Sequence, residues 1–200
     1  MEIVGCGRTD TGVHARNYVA HFDLEKDLPD NFCYRLNGLL PANIAVSNVI
    51  PVSPDFHARF DAIKREYKYH IHFQKNPFLD GFSWFRRGNM DFDKMNMAAQ
   101  KLIGTQDFRC FCKGEAPNGS YTCSVFKTFW EWDENGAVFC IEADRFLRNM
   151  VRAIVGTLLD IGHEKMTIVE FETLLQNGTR SDAGNSVPAH GLFLENVVYA

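Results

Sequence analysis

The chain has 200 residues, 46% of them hydrophobic and 23% charged, with 21 basic against 25 acidic side chains and a formal net charge of −4. That composition is too apolar for a disordered tail, and the length suffices to close one large core or two small ones. It excludes a strongly basic nucleic-acid binder at the level of the whole chain, and no apolar run approaches the length of a membrane-spanning helix. The opening Met1-Glu2-Ile3-Val4-Gly5-Cys6-Gly7-Arg8 shows no basic start followed by an apolar segment, and six cysteines are scattered along the chain. Reduced thiols in a soluble, cytoplasmic protein are the expectation.

In chain order, Met1 to Val4 is a short strand candidate, and Gly5 to Val13 is a glycine-punctuated turn. Asn17 to Leu24 alternates, with Tyr18, Ala20, Phe22 and Leu24 on one face, which predicts a half-buried strand. Phe32, Leu36, Leu39 and Leu40 fall at helical spacing, with Asp30 as a cap and Pro41 as a stop; Ile44 to Ile50 reads as another strand. After Pro54, Tyr67, Tyr69, Ile71 and Phe73 alternate with polar residues as a strand. Met95, Ala99, Leu102 and Ile103 form a helix face ended by Gly104. Strands at Cys123–Trp132 and Ala137–Ala143 are joined by a turn whose Asn135-Gly136 pair is suited to positive φ angles. A helix is predicted from about Arg145 to Ile161, then a second one opened by a Thr167/Glu170 capping box, then a strand from Leu192 to Tyr199.

The second part therefore reads β-α-β-β-α-(α)-β, a split βαβ unit, and the first part reads as the same unit without its leading strand and helix. The predicted fold class is α+β: two ferredoxin-like halves forming a mostly antiparallel sheet with helices on one face, the first half truncated. The halves are residues 1–55, carrying the glycine-rich turn, and residues 56–200.

The densest polar signal is Gly5-Cys6-Gly7-Arg8-Thr9-Asp10-Thr11-Gly12-Val13-His14-Ala15. A dinucleotide fingerprint fails here, because Asp10 stands where the third glycine belongs and a strand follows instead of a helix. On spacing alone the segment is a polar turn in which an aspartate caps its own backbone. Tyr67 alternates as a plain core tyrosine would, and Arg145, Arg148 and Arg152 make a helical stripe fit for solvent or phosphates. From His57 to Arg87 seven basic residues face three acidic ones, a local charge of +4. His70 and His72 share a strand face and Cys110-Phe111-Cys112 offers two thiols, but neither has the spacing of a zinc site; no metal is expected, and the thiols read as buried small hydrophobes.

Gly7-Arg8-Thr9-Asp10-Thr11-Gly12-Val13-His14-Ala15 resembles the signature loop of the TruA family of tRNA pseudouridine synthases. The resemblance continues through Phe56-His57-Ala58-Arg59-Phe60 and Lys64-Arg65-Glu66-Tyr67-Lys68-Tyr69, then Ala98-Ala99 to Asp107-Phe108. It ends with Phe146-Leu147-Arg148-Asn149-Met150-Val151-Arg152 with Gly156, and Pro188-Ala189-His190-Gly191-Leu192. These segments, in family order, span the chain.

The resemblance implies isomerisation of uridine to pseudouridine in the anticodon stem-loop of tRNA, with no cofactor. It makes Asp10 the catalytic nucleophile, with ribose C1′ and uracil C6 both open as the carbon attacked. Tyr67 matches the active-site tyrosine that stacks on the target base, and Arg152 the arginine that pairs with the aspartate and keeps it ionised. Arg8 matches a residue that helps expel the base from its stack. Phe56, His57, Ala58, Arg59 and Phe60 match an RNA-contacting segment, Arg59 being the most direct contact. tRNA is the implied partner, bound across a homodimer. Gly114 to Tyr121 departs from the family in carrying Glu115 and no arginine. The family's usual strand and helix ahead of the aspartate loop, with their Tyr-Asp-Gly and Gly-Trp-Gln segments, are not present, which suggests a shortened product or a misplaced start. The alternative function is accordingly a non-catalytic RNA-binding remnant; an unrelated aspartate-dependent hydrolase finds no second carboxylate motif.

Overall fold

The computed structural model describes residues 2–25, 27–116 and 119–200. Its elements in chain order are β1 (Val4–Gly5), β2 (His14–Ala15), β3 (Ala20–His21), α1 (Phe32–Asn37), β4 (Ala62–His72), β5 (Trp84–Phe85), α2 (Phe92–Gln100) and β6 (Gly104–Asp107). These are followed by β7 (Thr122–Trp132), β8 (Gly136–Ala143), α3 (Met150–Gly162), α4 (Ile168–Asn177) and β9 (Leu192–Tyr199). Strands β2-β9-β4-β8-β7-β6 lie side by side in that order, with β5 added against β4. Within this sheet β9-β4-β8-β7 is the strand order of a split βαβ unit, and its pairings are antiparallel. The α+β class is therefore what the chain adopts.

The sheet forms because β4 carries a two-residue period over Tyr67, Tyr69 and Ile71. Tyr69 and Ile71 point into the core, and α2 and α3 close over them, with Met95, Ala99, Ile154 and Leu158 fully buried. Asp91 caps α2 by accepting the Lys94 N–H at 2.9 Å. The predicted capping box of α4 is present in both directions, Glu170 N–H to Thr167 Oγ1 at 3.2 Å and Thr167 N–H to Glu170 Oε2 at 2.7 Å. No helix among the described residues is long and apolar enough to cross a membrane.

Five local expectations are corrected. The strand predicted over residues 17–24 shrinks to β3, which pairs antiparallel with β1 in a separate two-stranded sheet. Its inward face is the opposite one, because Val19 packs with Cys6 and Ala62 while Tyr18 is 46% exposed. Residues 44–50 form no strand: the Asn37 side chain, not a neighbouring strand, takes both the N–H and the carbonyl of Val46, at 2.7 and 2.8 Å. The first helix opens at Asn31, without a side-chain cap from Asp30. The β7–β8 turn uses no positive φ at Asn135-Gly136; the Asp133 carboxylate instead accepts both of their N–H groups, at 2.7 and 2.9 Å. Finally, α3 starts at Met150 and not at Arg145, because Asn149 adopts φ 66° and breaks the helical path. Arg145, Arg148 and Arg152 are therefore not a stripe on one helix. Of the strand expected at 1–4 only Val4 lies in β1, which continues into Gly5; residues 2 and 3 are not strand, and Met1 lies outside the described residues.

Candidate active site

The glycine-rich turn connects β1 to β2, and its ends are tied down from three sides. The Tyr18 hydroxyl donates to the Gly7 carbonyl at 2.6 Å, lying against Gly5 where any β-carbon would collide with it. Gly12, at φ 85°, reverses the chain so that the Val13 N–H reaches the Asp10 carbonyl at 3.1 Å. Beyond the turn, β2 pairs parallel with β9, setting His14 opposite Phe193 and stacking its ring on that side chain. The Asp10 carboxylate emerges between these anchors.

Arg152, in the first turn of α3, donates from Nη1 to Asp10 Oδ2 at 2.7 Å. Its Nε donates to the Val187 carbonyl at 2.7 Å, so the guanidinium plane is held at two points. The pair is partly open, with side-chain exposures of 29% for Asp10 and 20% for Arg152; a ligand can reach the carboxylate while much of its surroundings exclude water. Tyr67 sits partly buried on β4 with its ring edge-on to Phe146 at 5.0 Å. Burial pushes its phenol up to about 12, with Cys6 and, more weakly, the Asp10 charge adding to the rise. At neutral pH Tyr67 is a neutral ring with an intact hydroxyl. The structure thus joins Asp10 of the turn to Arg152 of α3, with Tyr67 on β4 near enough to feel the Asp10 charge. Arg8 lies in the same turn with its side chain exposed.

The Phe56–Phe60 segment is divided. Ala58 is fully buried, its N–H donating to His21 Nδ1 at 3.1 Å and its carbonyl accepting the Tyr199 hydroxyl at 2.6 Å. Phe56 packs on Tyr199, and the His57 ring accepts the N–H groups of Arg59 and Phe60 at 3.1 and 3.2 Å. Arg59 and Phe60 are the exposed members, with the guanidinium 5.4 Å from the Phe60 ring centre. These two present a cation and a flat face; Phe56, His57 and Ala58 shape the segment behind them.

Arg65 was counted in the sequence among the basic surface residues, and the structure gives it another role. Its guanidinium donates to four carbonyls, those of Ala62 (3.3 Å), Asp144 (2.8 Å), Cys6 (3.1 Å) and Arg59 (2.6 Å). It joins the start of the aspartate turn to the Arg59 segment and to the end of β8. Lys64 and Lys68 likewise pair with Glu142 and Glu195, at 3.2 and 3.8 Å. The positive stretch is therefore less available to phosphates than its formal charge suggests. A helpful signal was at hand: Arg65 and Tyr67 share a strand parity, so both head toward the same face.

The segment before β9 is the part of the site that the motifs marked least clearly. The Tyr69 hydroxyl donates to the Pro188 carbonyl at 2.9 Å, and a β-carbon at Gly191 would press the Tyr69 ring at 2.8 Å. Among the described residues no group of three or more His, Cys, Asp or Glu is placed to hold a metal ion. The cysteines are free, and burial raises the thiols of Cys110 and Cys123 to about 12 and that of Cys140 to about 11. The Gly114–Tyr121 loop includes residues 117 and 118, which lie outside the described residues.

These raised values have a consequence for stability. The unfolded chain releases such thiol and phenol protons near their ordinary 9.0 and 10.0, whereas the folded chain retains them until higher pH. The folded state then binds more protons, so the stability these groups contribute is complete below about pH 9 and is lost as pH rises toward about 12. Thermal melting across that range is expected to show a progressive fall in Tm, with the tyrosinate absorbance of Tyr67 and Tyr199, both raised to about 12, appearing only as the fold opens. A flat Tm profile with early tyrosinate absorbance contradicts the burial assigned to these rings.

The split βαβ sheet carries a carboxylate–guanidinium pair and, on its central strand β4, a phenol. Comparison with known proteins makes this specific. A family model described as tRNA pseudouridine synthase matches residues 98–200. The tRNA pseudouridine synthase A of Parabacteroides distasonis is 45% identical over 201 residues, covering 100% of this chain and 80% of the relative. That of Bacteroides fragilis is 46% identical, covering 99% and 80%, and that of Bacillus subtilis 38% identical, covering 100% and 82%. The chain belongs to the TruA family of tRNA pseudouridine synthases, which are isomerases.

Proposed function

We propose that this chain converts uridine to pseudouridine in the anticodon stem-loop of tRNA, with Asp10 as the nucleophile. The observation that carries the reading is the 2.7 Å contact between Arg152 Nη1 and Asp10 Oδ2, a partly exposed pair made between residues 142 positions apart in sequence. Attack by the carboxylate at C1′ of the ribose or C6 of the uracil is followed by cleavage of the N1–C1′ bond. The detached uracil turns, C5 bonds to C1′, the C5 proton is lost to solvent or a base, and N1 takes up a proton. The carboxylate leaves unchanged, so atoms and charge balance.

Arg152 supplies the fixed positive charge that holds the carboxylate in position for attack. Tyr67, a neutral phenol whose proton burial holds more tightly still, offers a ring on which the everted base stacks and a hydroxyl for a hydrogen bond. Arg8 is exposed in the same turn, where a planar cation can occupy the space a base leaves on flipping. Arg59 and Phe60 provide the phosphate and base contacts nearest the turn, their position linked to it through Arg65. We also propose a homodimer, the outer face of the sheet providing the surface: there a groove of about 620 Å³ is lined by Arg16, His70, Phe82, Trp132 and Phe193.

Incubating the purified chain with unmodified tRNA and mapping the product tests the reading. Pseudouridine in the anticodon stem-loop is expected, from a species that sediments as two copies; tRNA binding without product establishes a non-catalytic remnant instead. In the same assay Arg59→Glu is expected to weaken binding and to lower the slope of log K against log salt by about one, as the loss of one phosphate contact requires. An unchanged slope removes Arg59 from the contacts.

A further inference from the structure

Asn149 lies in one of the motifs noted in the sequence, and nothing in the proposed reaction employs it. Its φ of 66° turns the chain into α3, and its carbonyl receives the Ala153 N–H at 3.1 Å, fixing the start of the helix three residues before Arg152. Its side chain reaches elsewhere: Nδ2 donates to Ser186 Oγ at 2.6 Å. Arg180 Nη2 donates to the same Ser186 oxygen at 2.7 Å, while Arg180 Nη1 donates to the Gly184 carbonyl at 3.1 Å. One hydroxyl therefore joins the entry of α3 to the segment over residues 183–188.

That segment holds Arg152. The Val187 N–H donates to the Arg152 carbonyl at 3.2 Å, and the Val187 carbonyl accepts Arg152 Nε at 2.7 Å, a closed ring of two bonds between the same two residues. Val187 is only 3% exposed, so water is poorly placed to replace either bond. Farther along, the Gly184 N–H donates to Thr157 Oγ1 at 2.9 Å, pinning the segment's other end to the middle of α3. With Nε assigned to Val187, the guanidinium has one direction left for Nη1, and it points to Asp10.

We propose that Asn149 and Ser186, backed by Arg180, are positioning residues that hold the Arg152 guanidinium on Asp10. Neither touches the carboxylate; they act through Val187. The relevance of this clamp to turnover rests on the role proposed above for Arg152, but the clamp itself does not.

Two variants test it. Ser186→Ala removes the shared acceptor, and Asn149→Gly removes the amide while keeping a residue at ease with φ 66°. In the ¹⁵N spectrum of the full chain, the Arg152 Nε–H signal, assigned by its loss in Arg152→Lys, is expected to be sharp in the parent and to broaden or vanish in both variants. In the tRNA assay kcat is expected to fall about a hundredfold with KM within about twofold of the parent. The double variant is expected to be no worse than either single one, as for two parts of one device. A sharp Nε–H signal in folded variants overturns the clamp, whatever the activity. A lost signal with unchanged kcat confirms the clamp and removes Arg152 from the reaction, overturning the catalytic reading alone.

Discussion

Asp10→Asn is expected to reduce pseudouridine formation by at least about 10⁴-fold, the scale seen when an enzyme loses its nucleophile. The substitution is nearly isosteric, and its side-chain oxygen can still accept from Arg152 Nη1, so the turn anchored by Tyr18, Gly12 and β2 keeps its shape. What is lost is the negative charge and the lone-pair reactivity of the carboxylate. Because the Asp10–Arg152 pair is partly solvent-exposed, its removal is expected to affect stability by only about 1 kcal/mol. tRNA affinity should stay close to that of the parent, since the contacts assigned to Arg59 and Phe60 lie on another segment. The informative measurement is thus single-turnover product formation at saturating enzyme, with binding measured alongside. Retained turnover in Asp10→Asn contradicts nucleophilic attack by this residue. Equal binding by parent and variant with product from neither identifies a remnant that keeps the cleft without the chemistry.

Gly156→Ala is expected to be the most damaging single substitution remote from the carboxylate. Gly156 lies in the interior of α3, where glycine is less favourable than alanine by about 1 kcal/mol, so propensity alone favours the change. Tertiary contact reverses the sign. A β-carbon at Gly156 would overlap the carbonyl oxygen of Asn185 and lie 2.9 Å from its carbonyl carbon. The close approach extends along the segment, since a β-carbon at Gly184 would in turn sit 2.7 Å from the Thr157 nitrogen and 2.8 Å from the Gly156 carbonyl carbon. Helix and segment meet backbone to backbone. Forcing them apart is expected to cost about 3 kcal/mol, roughly 6–12 °C in Tm for a chain of this size. It also moves Val187 off Arg152, so residual activity is expected to fall further than the folded fraction does. A variant with parental Tm and activity shows that the segment can shift without consequence, and that the close approach has no role in holding the site.

How much of this could be read from residue order depends on the range of the interaction concerned. The period of two along Tyr67, Tyr69 and Ile71 is set by local geometry, and β4 lies where that pattern placed it. The Thr167/Glu170 box acts over three residues and formed as expected. The failures share a cause. Residues 44–50 have strand-like composition, but Asn37 answered their backbone groups first. The helix expected from Arg145 broke at Asn149, because a left-handed residue there is supported by Ser186 from 37 positions away. Arg65 looked like a surface cation and proved to be a bridge among four carbonyls, three of them from outside its own strand.

Sequence alone was enough to determine the α+β class, the order of the main strands and helices, the family, and the identity of the aspartate, tyrosine and arginine to examine, because periodicity, caps and motifs are properties of residues close together along the chain. Tertiary structure alone decided that Arg152 lies 2.7 Å from Asp10, that burial pushes the Tyr67 phenol up to about 12, and that Asn149 meets Ser186. Each of those depends on distance in space and on exclusion from water, and neither quantity exists until distant segments pack together.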